Sequence, residues 1–319
     1  MLKTPLSFLP FGLTLGLFLS ACQKPGLVTN RPEFSSPNAG FHALLSSIKS
    51  GDEQSAETIL GVKSSEILSG DPVSDRLDRK RFMEFAAQSV RVRQVTPAVA
   101  WVDCGPEAWT FPVPIVKDGK AWEFDGSWGR EEIRNRIIGR NELATIGTLR
   151  LLAKAQQKYR SMDPDGDGTQ TYAERIVSEE GRWNGLYWPS SKGKPKSPLF
   201  ALAKEAESEG YRNLHTGKVP YHGYYFRMLQ EQGKHAPGGK MAFRDAQGQM
   251  TQGFAILAWP VSYQRSGMMT FLINKDGMLY EKDLGKLTEW KASHIHSFNP
   301  DASWLCYDVA SETHQPSMP

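Results

Sequence analysis

The chain has 319 residues, a net charge of +3 and a hydrophobic fraction of 39%. That fraction builds a core, which excludes a disordered polymer, and the length suits one large or two ordinary domains. So small a charge gives no electrostatic claim on nucleic acid, and no nucleic-acid partner is expected.

Residues 1–21 read as an export signal. Lys3 supplies a short positive region, Pro5 to Leu19 an apolar stretch, and small residues precede Cys22, the layout of a secretory signal. The stretch is shorter than the ~20 apolar residues of a membrane-spanning helix, and Pro5 and Pro10 interrupt it. Leu19-Ser20-Ala21-Cys22 resembles the lipobox of bacterial lipoproteins. That resemblance implies lipidation of Cys22 and a tie to the membrane; an ordinary signal with Cys22 incidental is the alternative. Gln23, where Asp would retain a lipoprotein, favours the outer membrane. The expected location is therefore the cell envelope, facing the periplasm. Residues 22–38, rich in Pro, Gly, Ser and Asn, suit a flexible tether.

Residues 39–125 form a small α+β unit. Phe41, Leu44, Leu45 and Ile48 recur at helical spacing, and Gly51-Asp52 ends that helix before a second one reaching Ile59-Leu60. Phe82, Phe85 and Ala86 mark a further helical face. Val90 to Val95, Ala98 to Val102 and Phe111 to Val116 alternate as strands; Lys117-Asp118-Gly119-Lys120 turns the chain back into Trp122 to Phe124. Helices followed by such a meander resemble the cone-shaped folds of nuclear-transport-factor-like domains.

Residues 126–306 begin with a long helix from about Arg130 to Arg160, its apolar stripe carried by Ile133, Ile137, Leu149, Leu152 and Ala153. Arg130, Arg134, Arg136 and Arg140 make either a solvated face or a contact for an anionic partner. Gly139 and Gly147 are points where the helix can bend. Tyr221 to Met228, Gly253 to Trp259, Gly267 to Ile273 and Met278 to Tyr280 are expected strands, with Asn274-Lys275-Asp276-Gly277 the turn between the last two. The predicted class is α+β: a helix-plus-meander unit, then a long helix packed on an antiparallel sheet. Residues 307–319 are a tail.

The sharpest chemical signal comes directly after the long helix. Asp163, Asp165, Asp167, Gly168 and Glu174 satisfy D-x-D-x-D-G-x5-E. Calcium wants six to eight oxygens. Asp163, Asp165 and Asp167 supply carboxylates, Thr169 its carbonyl, Thr171 a direct or water-borne ligand, and Glu174 two closing oxygens. The ion expected is Ca2+ in a structural role. Gln170 replaces the aliphatic residue that pairs two such loops, and there is no second loop. A plain polar turn is the alternative.

Templates for catalysis fail: there is no G-x-S-x-G, H-E-x-x-H, phosphate loop or dinucleotide fingerprint. His222, His235 and Glu142 are the loop groups from which a hydrolase of envelope polymers would have to be built, and His294, His296 and Asp301 a conceivable transition-metal set. Trp183, Tyr187, Trp188, Tyr221, Tyr224, Tyr225 and Tyr263 line a groove for glycan or peptide, or else sit in a core. Cys104 and Cys306 pair as a disulfide or stay as separate buried thiols.

The stretches GRNELATIGTLRLLAKAQQKY, YAERIVSEEGRWNGLYWP, SPLFALAKEAESEGY, PYHGYYFRMLQEQGKHAPGG, GFAILAWPVSYQRSGMMTF and YEKDLG resemble the bacterial family of domain of unknown function 2950, from about Phe41 to Trp304. The resemblance implies an exported protein and brings no catalytic residues; Cys104 and Cys306 lie outside its pattern. A fainter similarity, Asn141 to Gly285, is to the globular half of pilin-like proteins, without the apolar helix through which pilins polymerise. Taken together, the expectation is a lipid-anchored, calcium-stabilised module that binds or assembles an envelope protein, peptide or glycan, with the hydrolase as the rival.

Overall fold

The computed structural model describes residues 31–190, 195–212 and 219–307. The signal segment, Cys22, Gln23, most of the tether and the tail after Tyr307 lie outside the described residues. The fold is α+β, as expected. No helix among the described residues is long and apolar enough to cross a membrane.

The first unit opens with four helices: α1 (Pro37–Ser50), α2 (Glu53–Leu60), α3 (Ser64–Ile67) and α4 (Pro72–Gln88). Their limits reflect local chemistry. Ser36 caps α1 by accepting from the Ala39 N–H, and Gly51 leaves the helix in the left-handed region that a Cβ disfavours. Asp71 caps α4 ahead of Pro72, so this helix starts a full ten residues before the Phe82 face that periodicity detects.

The meander comprises β1 (Val90–Thr96), β2 (Val99–Cys104), β3 (Trp109–Thr110), β4 (Ile115–Asp118) and β5 (Ala121–Phe124). Its antiparallel order is β1-β2-β4-β5, with β3 on β2. The expected hairpin forms, Lys117 opposite Trp122 and Asp118 opposite Ala121. The strand expected from Phe111 starts only at Ile115, because Pro112 and Pro114 have no N–H to give a ladder. Phe41, Leu44, Val102, Ile115 and Phe124 fill this core.

Helix α5 (Gly126–Met162) joins the two units in one continuous run of 37 residues, about 55 Å at 1.5 Å per residue. Asp125 caps its start by accepting from the Ser127 and Trp128 N–H groups. It passes Gly139 and Gly147 unbroken. Asp163-Pro164 ends it, since proline disfavours helical backbone in the residue before it. Ile133 packs on the first core, whereas Ile146, Leu149, Leu152, Ala155 and Tyr159 belong to the second. The arginine run is neither a free face nor a docking patch. Arg130 pairs with Glu66 at 3.0 Å, Arg134 donates to the Glu66 carbonyl, Arg136 to the Thr110 carbonyl, and Arg140 holds Asp78 bidentately at 2.6 Å. Those contacts strap the first unit to the helix.

The second unit continues through β6 (Arg175–Val177), β7 (Gly185–Tyr187), α6 (Phe200–Glu209), β8 (Tyr224–Leu229), β9 (Glu231–Gln232), β10 (Met241–Ala242), β11 (Ala255–Pro260), β12 (Met269–Asn274), β13 (Leu279–Asp283), α7 (Thr288–Ser293) and β14 (Leu305–Tyr307). The main sheet is antiparallel in the order β14-β13-β12-β11-β8, while β6 and β7 pair in parallel. Helices α5 and α7 both pack on β11, which is buried along nearly all its length. The Asn274–Gly277 turn forms, the Asn274 side chain accepting from the Asp276 and Met278 N–H groups. Periodicity gives no warning of α6, α7 or β14, all short and of mixed composition.

Of the two readings of the cysteines the structure has separate thiols, only one of them buried. Both cysteines are free: Cys104 is buried in the first unit's sheet, and Cys306 is exposed on the edge strand of the other sheet. Burial drives the Cys104 thiol up to about 11, with the Asp103 charge adding to it, so it stays protonated and inert.

Candidate functional site

The acidic loop leaves α5 through Asp163, which sits in the left-handed region at φ +43°. Gly166 and Gly168 come next at φ +73° and +82°, conformations that glycine adopts without strain. The folded loop brings ligand oxygens of Asp163, Asp165 and Asp167 within 4.8 Å of one another. Among the described residues this is the one group of three or more such side chains that converges. His294, His296 and Asp301 do not: the His294 ring faces the Trp290 carbonyl and Asp301 caps Ser303.

The loop's own donors satisfy only part of this charge. Gly168 N–H reaches one oxygen of Asp163 at 3.0 Å, and Thr169 N–H reaches Asp167. Gln249 Nε2, from the turn after Phe243, reaches the other oxygen of Asp167 at 2.8 Å. Asp163 Oδ1 is shut away from solvent with no donor. Burial raises the Asp165 carboxyl above the usual range, and the Asp163 contact and Asp167 charge raise it further. Tyr159, beneath the loop, has its hydroxyl pushed up first by burial and then by the same acidic charges.

Glu174 stands apart from the other three carboxylates. Its side chain pairs with Arg244 at 2.8 Å, and Arg244 also donates to Gln230 and to the Gly248 carbonyl. Yet Asp165, Thr171, Glu174 and Gln249 line one cavity of about 320 Å³. Glu174 leads directly into strand β6, where an EF-hand would place a second helix. Gln156 on α5 fixes this exit, donating to the Ala173 carbonyl at 2.9 Å and accepting from the Ala173 N–H at 2.8 Å. Arg244 and Gln249 carry no signal in sequence beyond the turn-forming Asp245–Gly248, because their partners lie about 70 and 82 residues away.

A family model described as protein of unknown function (DUF2950) matches residues 31–306. The chain belongs to this family. No curated protein and no solved structure matches it.

Elsewhere in this DUF2950 chain the groups expected of a hydrolase are dispersed. Glu142 is spent on the Met268 and Met269 N–H groups at 2.8 and 2.9 Å, where it ties α5 to β12. His222 lies 3.7 Å from Glu209, and the His235 backbone hangs on Asn299. The three do not hydrogen-bond to one another. Of the seven aromatics expected to line a groove, Tyr187, Trp188 and Tyr224 are buried, and Trp183, Tyr187, Trp188 and Tyr221 line one cavity of about 1080 Å³.

A buried carboxylate absent from the sequence expectations joins the two units. Asp71, 1% exposed, accepts from the Tyr211 hydroxyl at 2.8 Å and the Gly223 N–H at 3.0 Å while capping α4 through Val73 and Ser74. Gly223 approaches so closely that a Cβ there would stand 2.5 Å from the Asn141 amide.

Proposed function

We propose that this DUF2950 protein is a lipid-anchored component of the cell envelope whose acidic loop takes up one calcium ion, and that it works by binding or assembling other envelope components. The observations that support the ion are the convergence of one oxygen from each of the three aspartates and, in the same loop, an oxygen of Asp163 that is shut from solvent and lacks a donor. A buried acceptor without a partner costs about 1–3 kcal/mol, and adjacent carboxylates repel. A hard divalent cation relieves both penalties.

The residues fit calcium in kind. All are oxygen donors, with Thr169 and Thr171 in the chain beside the aspartates. Glu174 would complete the set only by leaving Arg244, so the site is weaker than the motif alone implies. An affinity of about 10⁻⁴ to 10⁻³ M, ordinary for extracellular modules, is expected. The role is structural: the ion would fix the end of α5 against β6.

The anchor rests on Leu19-Ser20-Ala21-Cys22. Two lipid signals or chains are needed for a stable hold. Replacement Cys22→Ser should release the protein from the membrane fraction; a wild-type chain found free of membranes would end that part of the reading. For the ion, EGTA-treated full chain titrated with calcium in a calorimeter should bind one ion. The Asp163→Asn, Asp165→Asn double variant should bind none. Absence of heat and of any change in melting with the wild type would end the calcium reading.

A further inference from the structure

The cavity of about 1080 Å³ that Trp183 and Tyr221 help to line is as large as pockets that enclose a whole small molecule, ~300–1,000 Å³. Its lining divides by element. Leu152 of α5, Leu202 of α6 and Phe226 of β8, with Leu199, Val219 and Val177, give it an apolar wall. Apart from Arg227, every charged side chain of the lining belongs to the stretch from Glu174 to Arg182, strand β6 and the turn after it. Arg227 is directed to α7, where it donates to the Ala292 and Ile295 carbonyls. The cavity is therefore amphipathic, apolar on α5, α6 and β8 and charged beside β6.

The charged part is not internally balanced pair by pair. Arg175 and Arg182 share one carboxylate, Glu179, at 2.8 and 3.5 Å. Two guanidinium groups on one carboxylate leave a positive charge in excess. Glu180 stands next to them in the turn that the Arg182 N–H closes on the Glu179 carbonyl, and it has no ion pair among the described residues. Glu174 is held by Arg244 at 2.8 Å and adds nothing. One cationic and one anionic position are thus left side by side. Exposed arginine pairs are weak and exchange readily for a phosphate, which a guanidinium binds in a fork.

The apolar part selects against sugars. Its uncharged polar side chains Thr148 and Gln230 are engaged already, Thr148 donating to the Ala144 carbonyl and Gln230 accepting from Arg244. A sugar against that wall would bury hydroxyls without partners. Trp183 and Tyr221 do not make a common stacking platform. Trp183 packs edge-on against Trp188, centroids 5.0 Å apart, while Tyr221 lies against His222 and Tyr211 at 4.1 and 5.1 Å, and no ring contact joins the two among the described residues. An acyl chain needs no partners and gains from every methylene it buries.

We propose that the cavity binds one molecule of an amphiphile whose head group carries both a phosphate and an ammonium. Its acyl chain lies against Leu152, Leu202 and Phe226, its phosphate at Arg175 and Arg182, and its ammonium at Glu180. This names a class of envelope component for the binding reading, on which it rests, and it is independent of the calcium ion.

The test is calorimetry on the full chain carrying Cys22→Ser, which needs no detergent to compete for the cavity, with lysophosphatidylethanolamine below its critical micelle concentration. Leu202→Trp plugs the apolar part and Val219→Trp is a second plug; circular dichroism and melting show which variants fold. One lipid should bind, at least tenfold more tightly than to a folded plug variant and at least tenfold more tightly than O-phosphoethanolamine, which has the head group without the chain. Lysophosphatidylglycerol, which lacks the ammonium, should bind at least tenfold more weakly, and Glu180→Gln should bring the two lipids within threefold of each other. No heat with the lipid, equal binding to the folded plug variants, equal binding of O-phosphoethanolamine, or a head-group preference that is absent or survives Glu180→Gln would each overturn the proposal. An N-acetylglucosamine oligomer that binds where the lipid does not would overturn it too, yet leave the binding-module reading standing. Titrations in EGTA should give the same lipid affinity as those in calcium, so loss of the calcium reading leaves this one intact.

Discussion

Two sets of carboxylates in this molecule meet opposite fates. Asp71 is buried at the junction of the units, and four protein donors, two of them 140 and 152 residues away, saturate it. Asp163, Asp165 and Asp167 crowd together at the end of α5, and their one donor from outside the loop among the described residues is Gln249. A carboxylate that the fold surrounds with donors is a structural pin. Carboxylates that the fold gathers and leaves short of donors retain valence for an external cation. The distinction lies in where the donors come from, and burial alone does not decide it.

The largest effect should come from removing the pin. Asp71→Ala orphans the Tyr211 hydroxyl and the Gly223 N–H, at about 1–3 kcal/mol each, and uncaps α4 at about 0.5–2 kcal/mol. Chemical denaturation should show a loss of at least ~3 kcal/mol, the same in calcium as in EGTA. A loss that depended on calcium would erase the contrast between the two sets.

Next in size is the ion itself. At a hundredfold excess over its Kd, calcium should stabilise the wild type by about 2.7 kcal/mol. The Asp163→Asn, Asp165→Asn chain should gain nothing, and in EGTA it should be at least as stable as the wild type because the repulsion is gone. Arg244→Gln comes third. It frees Glu174 for the cation, so calorimetry should find calcium held about tenfold more tightly, ~1.4 kcal/mol, while Glu174→Gln in the same background should cancel the gain. If Arg244→Gln binds no better, Glu174 has no part in the site. The smallest effect belongs to Tyr211→Phe, which removes one donor from Asp71 and should cost about 1 kcal/mol at every calcium concentration.

Sequence made some of this plain and concealed the rest for identifiable reasons. Short-range signals read well: the hairpin at Asp118-Gly119, the turn at Asn274–Gly277, four of the five strands of the main sheet and most of α5 all arise from spacing within about ten residues. The three clustered aspartates were legible because one motif contains them all. Glu174 sits in the same motif, yet its partner in the fold is Arg244, 70 residues on, and no local pattern announces that pairing. The arginines of α5 misled in the same manner. On a helical wheel they form an exposed stripe, and only the placement of Glu66, Asp78 and the Thr110 carbonyl makes them internal clamps. The two cysteines invited pairing by their number alone, whereas the sheets that carry them are separate. Asp71 had no place in the sequence reading, and its service to Tyr211 and Gly223 depends wholly on tertiary contact.

The most direct test is thermal melting of the full chain in EGTA and in millimolar calcium, beside the Asp163→Asn, Asp165→Asn variant. At one- to tenfold its expected Kd, calcium should stabilise the wild type by about 0.4–1.4 kcal/mol and so raise its Tm by about 1–5 °C, given ~2–4 °C per kcal/mol for domains of this size, and should leave the variant where it was. Coincident wild-type curves in the two buffers would mean that the loop's acidic side chains coexist without a cation, and the proposed metal centre would be a polar turn.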